Sequence, residues 1–339
     1  MAHTVNFSMK DYPAIYRNVK GILHSDDLSF GNLEVPVAND LPMSTYPRFN
    51  VHESYLEAAI SGGFDVFSLA NNHSNDQGLT GIAGTLVSMS KHSSGIWFSG
   101  LRKTAGEAPC PVLIEKDGWK ILFLSVTEIL NSYDEAGGLV YYIAPDETTR
   151  KAFLADIARM RAENPCDLFV LSIHLNEPEY VRSVDPAIKL WFRELARSGI
   201  DIVWAHHPHV MQEWETAPAS FGDHPALFMY SMGNFISGQR ADPDWDHPSA
   251  FREYTGDGIL LGVLLSRPAG QTGYRTLEAI PILCTNYTDP SEGVVVRLFD
   301  EGFISSLPVS RQTYFRKRLA LMKAYLPLLP PVPVKDILE

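Results

Sequence analysis

Five stretches of this chain repeat one pattern: a short apolar run, rich in β-branched and aromatic residues, that breaks into polar ones. FDVFSL, from Phe64 to Leu69, breaks into Asn71, Asn72, His73 and Asp76. CDLFVLSI, from Cys166 to Ile173, gives way to His174, Asn176 and Glu177. GIDIVWA leads into His206, His207 and His209, ALFMY into Ser231, Gly233 and Asn234, and WKILFLSV into Thr127 and Glu128. Runs of this length and composition predict strands buried on both faces.

Helical patterns lie between them. Phe153, Leu154, Ile157 and Met160 make an apolar stripe, and so do Ile188, Trp191, Phe192 and Leu195, with Pro186 suited to a first turn and Gly199 to a stop. Asn50 and Glu53 stand at capping-box spacing ahead of a helix that should stop at Gly62–Gly63. Strands alternating with helices predict an α/β domain. After about Pro281 the pattern changes to a basic amphipathic helix and a proline-rich tail. The expected division is a main domain over residues 1–285 and a helical appendage over 286–339 packed on it.

All the polar clusters sit where a predicted strand ends. In α/β folds ligands bind at that carboxyl edge, so the clusters are expected to converge on one site.

Composition narrows the partners. The chain has 339 residues, 45% hydrophobic and 20% charged, with 40 acidic against 28 basic side chains and a net charge of −12. That balance argues against nucleic acid or an anionic membrane as the main partner. Cys110, Cys166 and Cys284 form no CxxC pair and no disulfide framework, so they read as buried thiols and not metal ligands. No run approaches the ~18 apolar residues of a membrane span. The expectation is a soluble protein, cytoplasmic by its cysteine usage, or of the cell envelope if an N-terminal anchor has been removed.

The candidate chemistry centres on AHHPHV, residues 205–210, with three histidines in four positions. Histidine, asparagine and carboxylate groups without thiolates suit divalent ions of the Mn, Zn and Fe class. A single histidine would read as a solvated loop residue, and Asn71-Asn72 alone as a turn. Three histidines beside a buried strand, with His174 and His73 at equivalent strand ends, favour a metal.

GNLEVPV, SLANNHSNDQGLTGI, SIHLNEPEY, AHHPHVMQ and YSMGNF resemble, in this order, the blocks of the CapA-type capsule-synthesis (poly-γ-glutamate) proteins, a branch of the calcineurin-like metallophosphatase superfamily. The resemblance runs from about Asp11 to Phe235. It implies a sandwich of two β-sheets flanked by helices, with one or two divalent ions at the strand ends. Glu34 would take the place of the bridging carboxylate. Asn72, His174, His207 and His209 would be ligands. His73 would be the proton donor, with Asp76 positioning it. Asn234 would help to shape the pocket, and Asn71 and His206 would belong to it.

This chain departs from that family's pattern in three places. No Gly-Asp pair resembling the family's first metal-binding block lies between Met1 and Asp27, so the first strand is missing or altered. The family's HWGxEY is here HLNEPEY, which displaces Glu179 and Tyr180. Ala205 stands for the glycine before the histidines. One ion held by Asn72, His174 and His207 needs nothing from the first block.

The implied function is metal-dependent hydrolysis of a phosphoester or related bond, linked to capsule or other cell-envelope polymers. The alternative is a non-catalytic accessory protein that binds an anionic polymer during its synthesis or export. A metal-free interaction module would leave the histidine clusters unexplained. Tyr46, Arg48, Trp97, Arg102, Trp214 and Arg240 are the aromatic and basic residues that could line a cleft. Oligomeric state and substrate identity are not legible.

Overall fold

A computed structural model of the protein describes residues 11–217 and 225–326, together with Val5 and Met9. A short helix α1 (Lys20–Leu23) leads into β1 (Phe30–Asn32), which lies beside β2 (Val66–Ser68) and β3 (Trp97–Ser99) in a parallel sheet. Among the described residues no strand precedes β1.

The second sheet has six strands: β4 (Val112–Lys116), β5 (Trp119–Thr127), β6 (Leu168–His174), β7 (Ile202–His206), β8 (Trp214–Ala217) and β9 (Ala226–Met229). Their spatial order is β4-β5-β6-β7-β9-β8, with the inner four parallel and both edges antiparallel. Side chains alternate between its faces. Leu122, Leu124, Phe169, Leu171, Val203 and Phe228 point outward to α4 (Glu147–Glu163) and α5 (Pro186–Arg197), meeting Phe153, Ile157, Met160, Trp191, Phe192 and Leu195. Their neighbours Phe123, Val170, Ile202 and Met229 share a core with the first sheet and with α2 (Glu53–Gly62) and α3 (Gly78–Lys91).

Where the two sheets meet, bulk gives way to hydroxyls. Phe30 of β1 stands edge-on to Phe123 and Trp204, with ring centroids 5.6 and 6.4 Å apart. Towards the carboxyl ends, Ser68 of β2 bonds Ser125 of β5 and Ser172 of β6, each at 2.8 Å. These small side chains let the sheets approach, and the shared hydroxyls satisfy one another in a fully buried seam.

The helix boundaries follow their local signals, with one exchange of partner. Asp185 caps α5 through Ala187 N, ahead of Pro186 in the first turn, and Gly199 follows at φ 118°. The start of α2 differs from expectation. Asn50 turns back to the Ala38 backbone, and Asn39 Oδ1 accepts from Glu53 N at 2.8 Å in its place. A distant segment thus supplies the cap.

A third, antiparallel sheet comprises β10 (Asp257–Ser266), β11 (Thr276–Asp289) and β12 (Gly293–Leu298), followed by α6 (Glu301–Ser306) and α7 (Val309–Tyr325). The division expected at residue 285 falls inside β11. Phe299, Ile304, Phe315 and Leu319 belong to the same core as the first sheet. Buried Asp257 pairs with Arg240 at 2.7 Å and with Arg318 through Nε at 2.9 Å, fastening α7 to the body. The proline-rich tail lies outside the described residues. Of the three cysteines, all free, only Cys284 is buried; Cys166 is half-buried and Cys110 exposed, so the expectation of three buried thiols is corrected. Among the described residues no helix is long and apolar enough to cross a membrane.

Candidate active site

Register brings the strand ends together. Thr127, His174 and His206 stand side by side at the ends of β5, β6 and β7. In the first sheet Asn32 and Ser68 are paired at the ends of β1 and β2, and the chain then carries Glu34 and Asn71–Asp76 to the same edge of the sandwich.

Glu34 is pinned on one side only: Asn32 Nδ2 donates to its Oε2 at 3.2 Å, while Oε1 is buried without a partner. His209 Nε2, equally buried and unpartnered, lies 3.9 Å from that oxygen. The other nitrogen, Nδ1, pairs with Asn234 Oδ1 at 3.1 Å. Because the amide oxygen only accepts, that contact puts the ring proton on Nδ1 and leaves Nε2 a bare lone pair. Asn234 is delivered by Gly233, which has φ 75° and bridges Gly258 so closely that a Cβ would lie 2.6 Å from the Asp257 carbonyl.

Asn72 directs its Nδ2 to Asn131 Oδ1 at 3.1 Å, and its Oδ1 is buried without a partner. His174 Nε2 lies 3.1 Å from His207 Nδ1, and His174 Nδ1 is unpartnered. His207 and His209 hold φ of 111° and 59°, and Tyr180, which reaches the same loop, 68°. Left-handed φ at non-glycine residues is costly and tends to cluster at functional sites.

Electrostatics sets the protonation states. Burial pushes His174 well below the ordinary imidazole value, and pushes His207 down to about 4 and His206 to about 3. It lowers His209 as well. For Glu34, burial works to raise the carboxyl, and its interaction with His209 and His174 lowers it below its usual range. Burial thus favours the neutral imidazole and this pairing favours the carboxylate, the forms that coordinate metal.

Unpartnered buried atoms also occur elsewhere, on Glu278 and Asn18 for example. Those of Glu34, Asn72, His174 and His209 differ in lying on residues at the strand-end edge of the sandwich, Glu34 and His209 being 3.9 Å apart. Two oxygens and two ring nitrogens, all lone-pair donors, fit a divalent ion of the borderline class.

His73 is held separately. Its Nδ1 lies 2.7 Å from Asp76 Oδ2, which also accepts from Phe49 N at 2.8 Å. The Phe49 ring stands edge-on to the imidazole at 4.6 Å. Nδ1 thus carries the proton shared with Asp76, and Nε2 is left for a ligand.

A cavity of about 830 Å³ opens beside these groups, lined by Asn72, His73 and Asp76, by Tyr46 and Arg48, and by Glu179, Tyr180 and Arg252 among others. Of the residues expected to line a cleft, Tyr46 and Arg48 line this cavity. Trp214 and Arg240 are buried, the latter paired with Asp257. Trp97 lies in β3, and Arg102 bonds the Val140 carbonyl.

Asn71, His206 and Asn234, expected as pocket residues, are not among the side chains lining this cavity, and neither are Glu34, His174, His207 and His209. Asn71 joins the Leu33 carbonyl to His73 N, and His206 Nε2 pairs with Ser172 Oγ at 2.9 Å. Asn131, which touches both Asn72 and His73, escaped the sequence reading. It lies just beyond the polar end of WKILFLSV, so extending the strand-end rule by a few residues would have found it.

Sheets packed face to face, helices outside and a polar cluster at the strand ends define a layered α/β sandwich with a candidate site at its edge. A family model for the bacterial capsule synthesis protein PGA_cap matches residues 1–239, and the chain belongs to that family. It is 26% identical over 245 residues to the capsule biosynthesis protein CapA of Bacillus anthracis, covering 69% of this chain and 56% of that one. It is 24% identical over 234 residues to the PGA biosynthesis protein CapA of Bacillus subtilis strain 168, covering 68% and 58%. The chain thus spans little more than half the length of these relatives. A hypothetical protein from Thermus thermophilus, known as a crystal structure, aligns with a TM-score of 0.47 at 15% identity, covering 80% of this chain and 94% of that one.

Proposed function

We propose that this protein is a metal-dependent hydrolase of a phosphoester or related bond, serving capsule or cell-envelope polymer metabolism. The observation that carries the reading is the set of four unpartnered, buried lone-pair atoms on Glu34, Asn72, His174 and His209. Left unsatisfied, such atoms each cost about 1–3 kcal/mol. One or two bound divalent ions would satisfy them, and in this chemistry such an ion polarises a phosphoryl oxygen and makes water nucleophilic near neutral pH. His207 would complete the ligand set.

The remaining roles belong to side chains. His73, oriented by Asp76 through Nδ1, would in its doubly protonated form give the Nε2 proton to the leaving oxygen. Asp76, itself fixed by Phe49 N, would hold the ring in that orientation and stabilise its charged form. Arg48 and Arg252 in the cavity wall, with Nε tied to backbone carbonyls at 2.6 and 2.8 Å, would receive an anionic substrate. The cavity volume suits a ligand of several monomer units.

A second reading draws on the relatives' names, which place them in capsule and PGA biosynthesis: an accessory protein that binds an anionic polymer without cleaving it. Hydrolysis of an aryl phosphodiester separates the two. Turnover that appears with Mn²⁺ and disappears with chelator supports the hydrolase. Metal uptake with no turnover on phosphomonoesters or phosphodiesters overturns it and leaves the accessory role.

A further inference from the structure

We propose that Glu179 is a metal ligand, forming with His207 and His209 a second cation position beside the one that Asn72 and His174 face, with Glu34 between them. The inference rests on the metal reading above and adds to it a residue that the family's HWGxEY pattern does not align. One ligand atom each from Glu179, His207 and His209 lies within 4.8 Å of the others. His209 is 4% exposed, and its Nε2 is buried without a hydrogen-bond partner. Glu179 is exposed and lines the cavity, so its carboxylate can meet an ion from the substrate side.

Two features hold Glu179 to this task. Tyr180 N donates to the Pro208 carbonyl at 2.8 Å, pinning the backbone beside Glu179 to the loop between the two histidines. A relay of side chains starts at Tyr180 as well. The Tyr180 hydroxyl accepts from Gln239 Nε2 at 3.2 Å. Gln239 Oε1 accepts from Asn234 Nδ2 at 2.8 Å, and Asn234 Oδ1 meets His209 Nδ1. One hydrogen-bonded chain therefore runs from Tyr180, the neighbour of Glu179, to the imidazole of His209, the kind of outer support that metal ligands commonly have. Charge agrees: Glu34 and Glu179 flank His209, and two carboxylates offset much of the charge of two divalent ions.

The test is Mn²⁺ binding by calorimetry and electron paramagnetic resonance on the wild-type chain, Glu179→Gln and His174→Ala. Glu179→Gln keeps the side chain's shape at an exposed position, so folding is not at stake. The proposal expects about two equivalents and an exchange-coupled spectrum in the wild type, and about one equivalent with an isolated-ion spectrum in Glu179→Gln. If Glu179→Gln retains the wild-type stoichiometry and coupling, Glu179 is not a ligand. If the wild type binds about one ion that His174→Ala loses and Glu179→Gln keeps, the inference falls and the metal reading stands. A wild type that takes up no ion removes both.

Discussion

Glu34 Oε1 and His209 Nε2 face each other across 3.9 Å, from the ends of two different sheets, and neither has a hydrogen bond. Folding has removed both from water without giving them a partner, so a ligand that binds both should stabilise the fold. Thermal unfolding in Mn²⁺ or Zn²⁺ should move upward, by about 2.7 kcal/mol of added stability at a hundredfold excess over Kd. Chelator should reverse the shift, and His174→Ala should blunt it. An unfolding temperature indifferent to both ions would remove the metal reading.

The same burial makes the ion-free protein sensitive to acid. His207 and His206 have folded values near 4 and 3 against an ordinary 6.5, so the unfolded chain binds more protons between those limits. Stability from these groups is complete above pH 6.5 and is lost as pH falls towards about 4. Urea titrations of chelated protein across this range should show that slope, and His206→Gln should flatten it.

His73 and Asp76 act on proton delivery, and leaving groups differ in how much they need it. His73→Ala should slow hydrolysis of an alkyl phosphodiester by ~10²–10⁴-fold and of a nitrophenyl ester far less. Asp76→Asn should show the same asymmetry in weaker form. Equal losses on both substrates would take the acid role away from His73.

Asp257 is fully buried between Arg240 and Arg318, whose charges hold its carboxyl below the ordinary 3.8 against the opposing effect of burial. Asp257→Asn strands two buried guanidiniums and should cost about 3–5 kcal/mol in chemical denaturation. Asp257 itself supports the fold above pH 3.8, and that support is lost as pH falls further. A loss below 1 kcal/mol would mean that α7 is anchored mainly by its apolar contacts.

Much of this architecture could be read from the chain because burial leaves a local imprint. Phe169, Leu171 and Ile173 alternate with Val170 and Ser172, so both faces of β6 are buried and the run reads as continuous apolar sequence. Where the run stops at His174, a strand end and a polar edge are announced together. Asn50 misled because the capping-box spacing describes a possible bond, whereas Asn39, far off in the chain but adjacent in space, makes it. Trp214 and Arg240 misled for the converse reason: their side chains suit a cleft as well as a core, and only packing chooses.

The sequence by itself determined the α/β alternation, the strand ends that carry chemistry, and the family to which those ends belong. These properties follow from residue type and spacing along a few turns or a single strand. Tertiary structure alone decided which lone pairs are left without partners, that Asn131 and Phe49 brace His73, and that Glu179 stands with His207 and His209. Those facts depend on distances between segments that meet only when two sheets close on each other, and no local pattern encodes a distance across a fold.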